Sequence, residues 1–182
     1  MRLFAALPLD NACKAALNAV CAALRQRSAR ASLTRPELMH LTLAFIGEVP
    51  ADESGAVKTA LSGVMANAFP FEIVGVGRFR RDDGDIVWAG LRQSAALEAL
   101  AAETRGALQT AGFAIDTKPF RPHLTLARRV RFATLGDYDA FAAAYSGDKV
   151  LCTTRADRFT LMESRRTDGR LDYAELADYP LK

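Results

Sequence analysis

His40-Leu41-Thr42-Leu43-Ala44 recurs letter for letter as His123-Leu124-Thr125-Leu126-Ala127. Each copy follows an Arg-Pro pair, Arg35-Pro36 a little upstream of the first and Arg121-Pro122 directly before the second. The chain has only 2 His, and both head this pentapeptide. Side chains on a strand alternate between faces. His40 and Thr42 therefore share one face and Leu41 and Leu43 the other, and His123, Thr125, Leu124 and Leu126 divide in the same way. A duplicated strand with one oily and one polar face predicts two similar lobes about a pseudo-twofold axis. If the two strands pack side by side, two imidazoles and two hydroxyls converge on one central cleft.

The flanking sequence supplies the rest of an α+β fold. Arg2 to Leu9 reads as a strand, and Asp10 caps an Ala-rich helix in which Cys13, Leu17, Val20, Cys21 and Leu24 recur at helical spacing. Its basic end, Arg25, Arg27 and Arg30, suits a helix C-terminus. The first repeat strand covers His40 to Gly47, and a capped apolar pattern predicts a second helix over Asp52 to Ala66. Phe71 to Arg80 and Asp85 to Leu91 form a hairpin through Asp83-Gly84, and a third helix runs from Ser94 to Gly112. The second repeat strand extends to about Arg131, followed by a short helix near Tyr138 to Tyr145. Val150 to Glu163 and Leu171 to Leu176 close the chain as two strands joined through Asp168-Gly169. Strands that alternate with helices and are linked partly by hairpins predict two antiparallel or mixed sheets flanked by helices.

Composition agrees with a globular chain. The 182 residues are 50% hydrophobic and 25% charged, which excludes disorder, collagen and coiled coil and predicts one domain, residues 1–182, or two small lobes sharing a core. No apolar run approaches the roughly 20 residues of a membrane span, and Met1 to Leu9 is too short and too punctuated for a signal peptide. The expectation is a cytoplasmic protein without membrane contact. Cys13, Cys21 and Cys152 form no C-x-x-C pair and leave an odd one over, so they read as small buried hydrophobes rather than disulfide or zinc ligands. The net charge is +3, and 19 of the 24 basic residues are Arg, whose planar fork fits phosphate oxygens.

Two histidines suit one chemistry well. Imidazole titrates near neutral pH, so one ring can take a proton from an attacking oxygen while the other protonates the departing one. In-line displacement at phosphorus needs that pair, with the Thr hydroxyls and a nearby Arg on the non-bridging oxygens. The scheme calls for no metal and no cofactor. Arg128 falls on the face opposite Thr125 in a regular strand, so its entry to the cleft depends on a bulge or twist. Phe45, Phe79, Trp88 and Phe120 are the aromatics able to stack a base. The basic clusters Arg78-Arg80-Arg81, Arg128-Arg129-Arg131 and Arg165-Arg166 could steer a polyanion, although Asp82, Asp83 and Asp85 dilute at least one. G-x-S-x-G, Walker-type phosphate loops and H-E-x-x-H are absent from the sequence. Two histidines with a remote carboxylate remain as a metal-binding alternative. A non-catalytic RNA or nucleotide binder with the same cleft is the other.

The longer frames around the repeats, Arg35-Pro36-Glu37-Leu38-Met39-His40-Leu41-Thr42-Leu43-Ala44-Phe45-Ile46-Gly47 and Phe120-Arg121-Pro122-His123-Leu124-Thr125-Leu126-Ala127-Arg128, resemble the two H-x-T-x blocks of the two-histidine (2H) phosphoesterases. Within that group the chain is similar to the RNA 2′,3′-cyclic phosphodiesterases, also called 2′-5′ RNA ligases. The opening Met1 to Leu7, the hairpin segments Val76 to Phe79 and Ile86 to Leu91, and the closing Leu161 to Ser164, Tyr173 and Tyr179 to Leu181 extend the likeness. The resemblance implies a bilobal fold whose H-x-T-x strands line a cleft. It also implies hydrolysis of a terminal 2′,3′-cyclic phosphate to a 2′-phosphate, with reverse 2′-5′ ligation open to the same groups. By the same resemblance His40 is the proton donor, His123 the proton acceptor, and Thr42, Thr125 and Arg128 hold phosphate; of the aromatics named above, Phe45, just after the first motif, is the candidate to stack a base. The implied partners are RNA ends bearing a cyclic phosphate, tRNA fragments among them, or small 2′,3′-cyclic nucleotides, acted on by a monomer. One departure stands out: Leu33-Thr34-Arg35-Pro36 occupies a flank where the family often carries a Trp.

Overall fold

The computed structural model describes residues 1–116, 118–146 and 149–182. The elements follow in the order β1 (Arg2–Pro8), α1 (Asn11–Gln26), β2 (Ser28–Leu33), β3 (His40–Glu48), α2 (Ser54–Ser62), β4 (Phe69–Phe79), β5 (Asp85–Leu91), α3 (Ala95–Thr110), β6 (His123–Phe132), α4 (Asp137–Ala144), β7 (Val150–Ala156), β8 (Arg158–Thr167) and β9 (Arg170–Pro180). The strands form two antiparallel sheets, a four-stranded one ordered β3-β1-β8-β9 and a five-stranded one ordered β2-β6-β5-β4-β7. The α+β expectation holds, and the internal repeat has a topological counterpart. In each half a strand and a helix precede the motif strand, with β2 also intervening in the first half; the first strand pairs antiparallel with the motif strand, which begins with the motif His. Thus Pro8 opposes His40 in one sheet and Gly90 opposes His123 in the other.

The motif strands do not pack side by side, however. β3 lies at the edge of the four-stranded sheet and β6 inside the five-stranded one, so they face each other across the space between sheets instead of sharing a ladder. What joins the sheets is an exchange of helices. α1 leaves β1 yet packs on β7, β6 and β2 of the other sheet, and α3 leaves β5 yet packs on β3. At about 1.5 Å rise per residue, the 16 residues of α1 reach about 24 Å, enough to cross five strands spaced about 4.8 Å apart. Its stripe Cys13, Leu17, Val20, Cys21 and Leu24 is buried as its spacing predicts, and Leu41, Leu43, Leu124 and Leu126 join the same contiguous core. The apolar face of each motif strand therefore closes the core, and the polar face is left to the cleft.

Local chemistry fixes the ends. Asp10 accepts from the Cys13 amide (2.7 Å) through one carboxylate oxygen and from the Thr154 hydroxyl (2.7 Å) through the other, capping α1 and tying it to β7. Those two bonds hold its carboxyl below the usual carboxylate range. Ser94 caps α3 by accepting from the Leu97 amide (3.3 Å).

Four sequence expectations are corrected here. Arg30 belongs to β2, an edge strand with no fully buried residue and hence no apolar alternation to betray it, and not to the end of α1. The helix expected over Asp52 to Ala66 is a short 3₁₀ turn, Ala51–Glu53, and then α2, ending at Gly63. The strand expected over Val150 to Glu163 is two strands, because the chain crosses at Asp157 from the five-stranded to the four-stranded sheet. Finally, Cys13 and Cys152 are joined in a disulfide between α1 and β7, leaving Cys21 as the free, buried cysteine.

Candidate active site

The polar faces of β3 and β6 line a cleft of about 1140 Å³ that holds His40, Thr42, Phe45, His123, Thr125 and Arg128 together. The two imidazoles are mounted alike. The Nδ1–H of His40 donates to the Leu38 carbonyl (2.8 Å) and that of His123 to the Arg121 carbonyl (2.8 Å), each two residues upstream. A carbonyl only accepts, so Nδ1 carries the proton and Nε2 is left for chemistry in both rings. His40 Nε2 lies 3.1 Å from Thr42 Oγ1, whose hydroxyl can donate to it. Aromatic edges hold each ring: Phe4 and Tyr173 flank His40 (centroids 4.9 and 5.1 Å), and Phe79 and Trp88 flank His123 (5.3 and 6.4 Å). Trp88 in turn lies over Gly77, where a Cβ would stand 2.3 Å from the indole, so this packing requires glycine.

A repeated bulge explains how Phe45 and Arg128 reach the cleft. One step along β1, from Ala6 to Ala5, spans two residues of β3, from Thr42 to Ala44. One step along β5, from Trp88 to Val87, likewise spans two residues of β6, from Thr125 to Ala127. The extra residue reverses the alternation just after each Thr. Ala44 and Ala127 turn into the core, and the next side chains, Phe45 and Arg128, emerge on the polar face at equivalent positions of the two copies. Phe45 is 46% exposed there, with the Arg2 guanidinium 5.1 Å from its ring centroid.

The other aromatics and basic clusters are used differently. Phe120 packs partly buried against the core, while Phe79 and Trp88 support His123. Arg78 pairs with Asp85 (2.9 Å) and lies over the Tyr138 ring (3.7 Å), Arg129 pairs with Asp83 (3.6 Å), and Arg131 donates to the Asp82 carbonyl (2.5 Å). All three acidic residues thus engage arginines that sequence clustering alone would offer to a polyanion. Sequence spacing gives no sign of Arg2, Arg35 and Arg170, which line the cleft. Arg35 donates to the Leu171 carbonyl, linking the segment before β3 to the β8–β9 hairpin across the cleft end. Among the described residues no three His, Cys, Asp or Glu side chains converge as a metal-binding group, and no helix is long and apolar enough to cross a membrane.

His40 is set apart from its partner by depth. Burial pushes its pKa down to about 4, the Leu38 hydrogen bond opposes that, and the charges of Arg128 and His123 add to the lowering. In the unfolded chain the ring titrates near 6.5, so between about 4 and 6.5 the unfolded state binds more protons. The stability this neutral His contributes is complete above pH 6.5 and is lost as the pH falls toward 4. Urea denaturation between pH 7 and pH 4 should show a steeper loss for the wild type than for His40→Gln; parallel curves would refute the assignment.

The model of the 2′-5′ RNA ligase superfamily matches residues 9–168. The chain belongs to that superfamily. Among curated members, an RNA 2′,3′-cyclic phosphodiesterase of Geobacillus stearothermophilus is 33% identical over 129 residues, 69% of this chain but only 41% of that protein, so the chain spans less than half of that relative's length. The Archaeoglobus fulgidus RNA 2′,3′-cyclic phosphodiesterase is 32% identical over 129 residues, 70% of this chain and 72% of the relative. The crystal structure of Escherichia coli LigT complexed with 3′-AMP superposes with a TM-score of 0.80 at 26% identity, covering 99% of this chain and 97% of that one. In this superfamily member, then, the paired H-x-T-x strands are the two walls of one cleft.

Proposed function

We propose that the chain hydrolyses 2′,3′-cyclic phosphates at RNA ends to 2′-phosphates, with His40 and His123 as the proton-transfer pair. The observation that carries the reading is the matched mounting of two imidazoles in one cleft, each with Nδ1 tied at 2.8 Å to a carbonyl two residues upstream, which leaves the Nε2 lone pair of each ring for proton transfer. The similarity to proteins named RNA 2′,3′-cyclic phosphodiesterase supports the same substrate class.

In this mechanism His123 Nε2 takes a proton from water as its oxygen bonds to phosphorus. The bond from phosphorus to O3′ breaks, His40 Nε2–H protonates O3′, and the phosphate stays on O2′. Thr42, Thr125 and Arg128 donate to the non-bridging oxygens, where charge accumulates. Burial, with smaller contributions from Arg128 and His123, keeps His40 unprotonated in the free protein, and the negative charge of a bound phosphate favours the charged ring when a donor is needed. With a 5′-hydroxyl in place of water the same steps give 2′-5′ ligation: His123 takes the hydroxyl proton as O5′ bonds to phosphorus, the bond to O3′ breaks, and His40 protonates O3′. Phe45 offers a ring to the terminal base.

Incubation of the purified protein with a short RNA ending in a 2′,3′-cyclic phosphate, with EDTA present, is expected to yield a 2′-phosphate, identified by mass and by phosphatase sensitivity. Loss of activity in EDTA with recovery on adding zinc or manganese would replace the two-histidine mechanism by a metal-dependent one. No turnover of this RNA or of small cyclic nucleotides would leave a binding protein.

A further inference from the structure

The two Arg-Pro pairs that precede the motifs do unlike work. Arg121 holds His123 with its backbone carbonyl, whereas Arg35 reaches away from its own segment with its side chain. Its guanidinium donates to the Leu171 carbonyl on β9, the outer strand of the four-stranded sheet. The Arg35 carbonyl accepts from the Leu38 amide (2.9 Å), and the Leu38 carbonyl in turn accepts from His40 Nδ1–H (2.8 Å). One residue earlier, the Thr34 amide donates to the Leu126 carbonyl of β6 (2.8 Å). Arg35 thus stands where the two sheets and the mounting of His40 meet.

The side chain of Arg35 secures one wall of the His40 site. Leu171 and Tyr173 are two residues apart on a regular stretch of β9, so they share a face, and both line the cleft. β3 and β9 are the two outer strands of their sheet, three strand spacings apart, or about 14 Å were the sheet flat. Yet the His40 and Tyr173 rings lie 5.1 Å apart, edge to face, and both rest on the Phe4 ring of β1 (4.9 Å each). The Arg35 bond ties the segment entering β3 to β9 where these outer strands close on each other. We propose that Arg35 is a positioning residue for the proton donor: by fixing Leu171 it seats Tyr173 against His40, so that the ring keeps one orientation and stays shielded from water. The donor role rests on the cyclic-phosphate reading of the cleft; the brace itself does not. The charged groups facing His40 are Arg128 and His123 from β6. Burial raises the Tyr173 phenol against the charges of Arg128 and of Arg2 on β1, so that this wall is neutral.

The chain has only 2 His, so imidazole NMR resolves each titration in the intact protein. Buried His40 titrates at about 4 in the wild type. Arg35→Ala should admit water beside Tyr173 and move that midpoint up toward 6.5, while the His123 curve moves far less. Tyr173→Ala should act similarly, and Tyr173→Phe, which keeps the ring, should not. The double variant Arg35→Ala, Tyr173→Ala should titrate like either single one, because both remove the same wall. An Arg35→Ala curve that overlays the wild type would overturn the proposal. So would shifts that add in the double variant, which would mark Arg35 as a charge acting independently of Tyr173. On an RNA ending in a 2′,3′-cyclic phosphate, Arg35→Ala should lower kcat by up to about 10²-fold, the cost of a misplaced group, with KM little changed. A raised KM with kcat and the titration unchanged would make Arg35 a phosphate contact instead and overturn the brace. The titration needs no substrate, so it decides the brace even where no cyclic phosphate is hydrolysed.

Discussion

Replacing His123 by alanine is expected to lower kcat on a cyclic-phosphate RNA end by about 10²–10⁴-fold, the range over which a positioned acid or base contributes. Replacing His40 should cost as much. In both variants the fold should persist, because each ring meets the cleft on one side and its strand is anchored by the buried Leu residues on the other. Unchanged circular dichroism with a collapsed rate is the expected pairing. Retention of near-normal turnover by either variant would remove that ring from the chemistry. Because the two rings hand protons in opposite directions through one transition state, the double variant should be scarcely worse than either single one, and the rates of all three measured under one set of conditions check this.

The second large effect concerns stability. The Cys13–Cys152 disulfide closes a loop of 139 residues, and the loop-entropy relation assigns such a crosslink about 5 kcal/mol through its restriction of the unfolded chain. Urea unfolding in the presence of a thiol reductant should shift to markedly lower denaturant, and Cys152→Ala should reproduce that shift without reductant. Identical midpoints with and without reductant would show that the thiols are not bonded. The neighbouring Asp10–Thr154 hydrogen bond keeps α1 on β7 in either redox state, so activity should survive where stability falls.

His40, Thr42, His123 and Thr125 are legible in the sequence because duplication turns a weak tripeptide pattern into a geometric one, and strand alternation then divides polar from apolar faces. Phe45 and Arg128 are not legible in the same way. Their exposure depends on one unpaired residue after each Thr, and a bulge leaves no mark in composition. β2 is hidden because an exposed edge strand needs no apolar face. The break at Asp157 lies inside a continuous strand-like pattern, since changing sheets does not change which residues favour extended backbone. The disulfide joins residues whose proximity exists only after α1 has crossed to the other sheet. The Arg165-Arg166 pair is visible as a cluster, but not that Asp85 and Asp83 pair with Arg78 and Arg129 of the competing clusters or that Glu163 takes Arg165.

The helix exchange has a mechanical consequence. Because α1 springs from one sheet and seals the other, and α3 does the reverse, widening the gap between sheets would peel a helix from the core it covers and wet its whole apolar stripe. The cleft is therefore a mould and not a jaw: its span is set once, when the chain folds, and ligands meet a fixed width. Tolerance for different ligands must come from side chains at the rim, while the spacing of the two imidazoles stays constant.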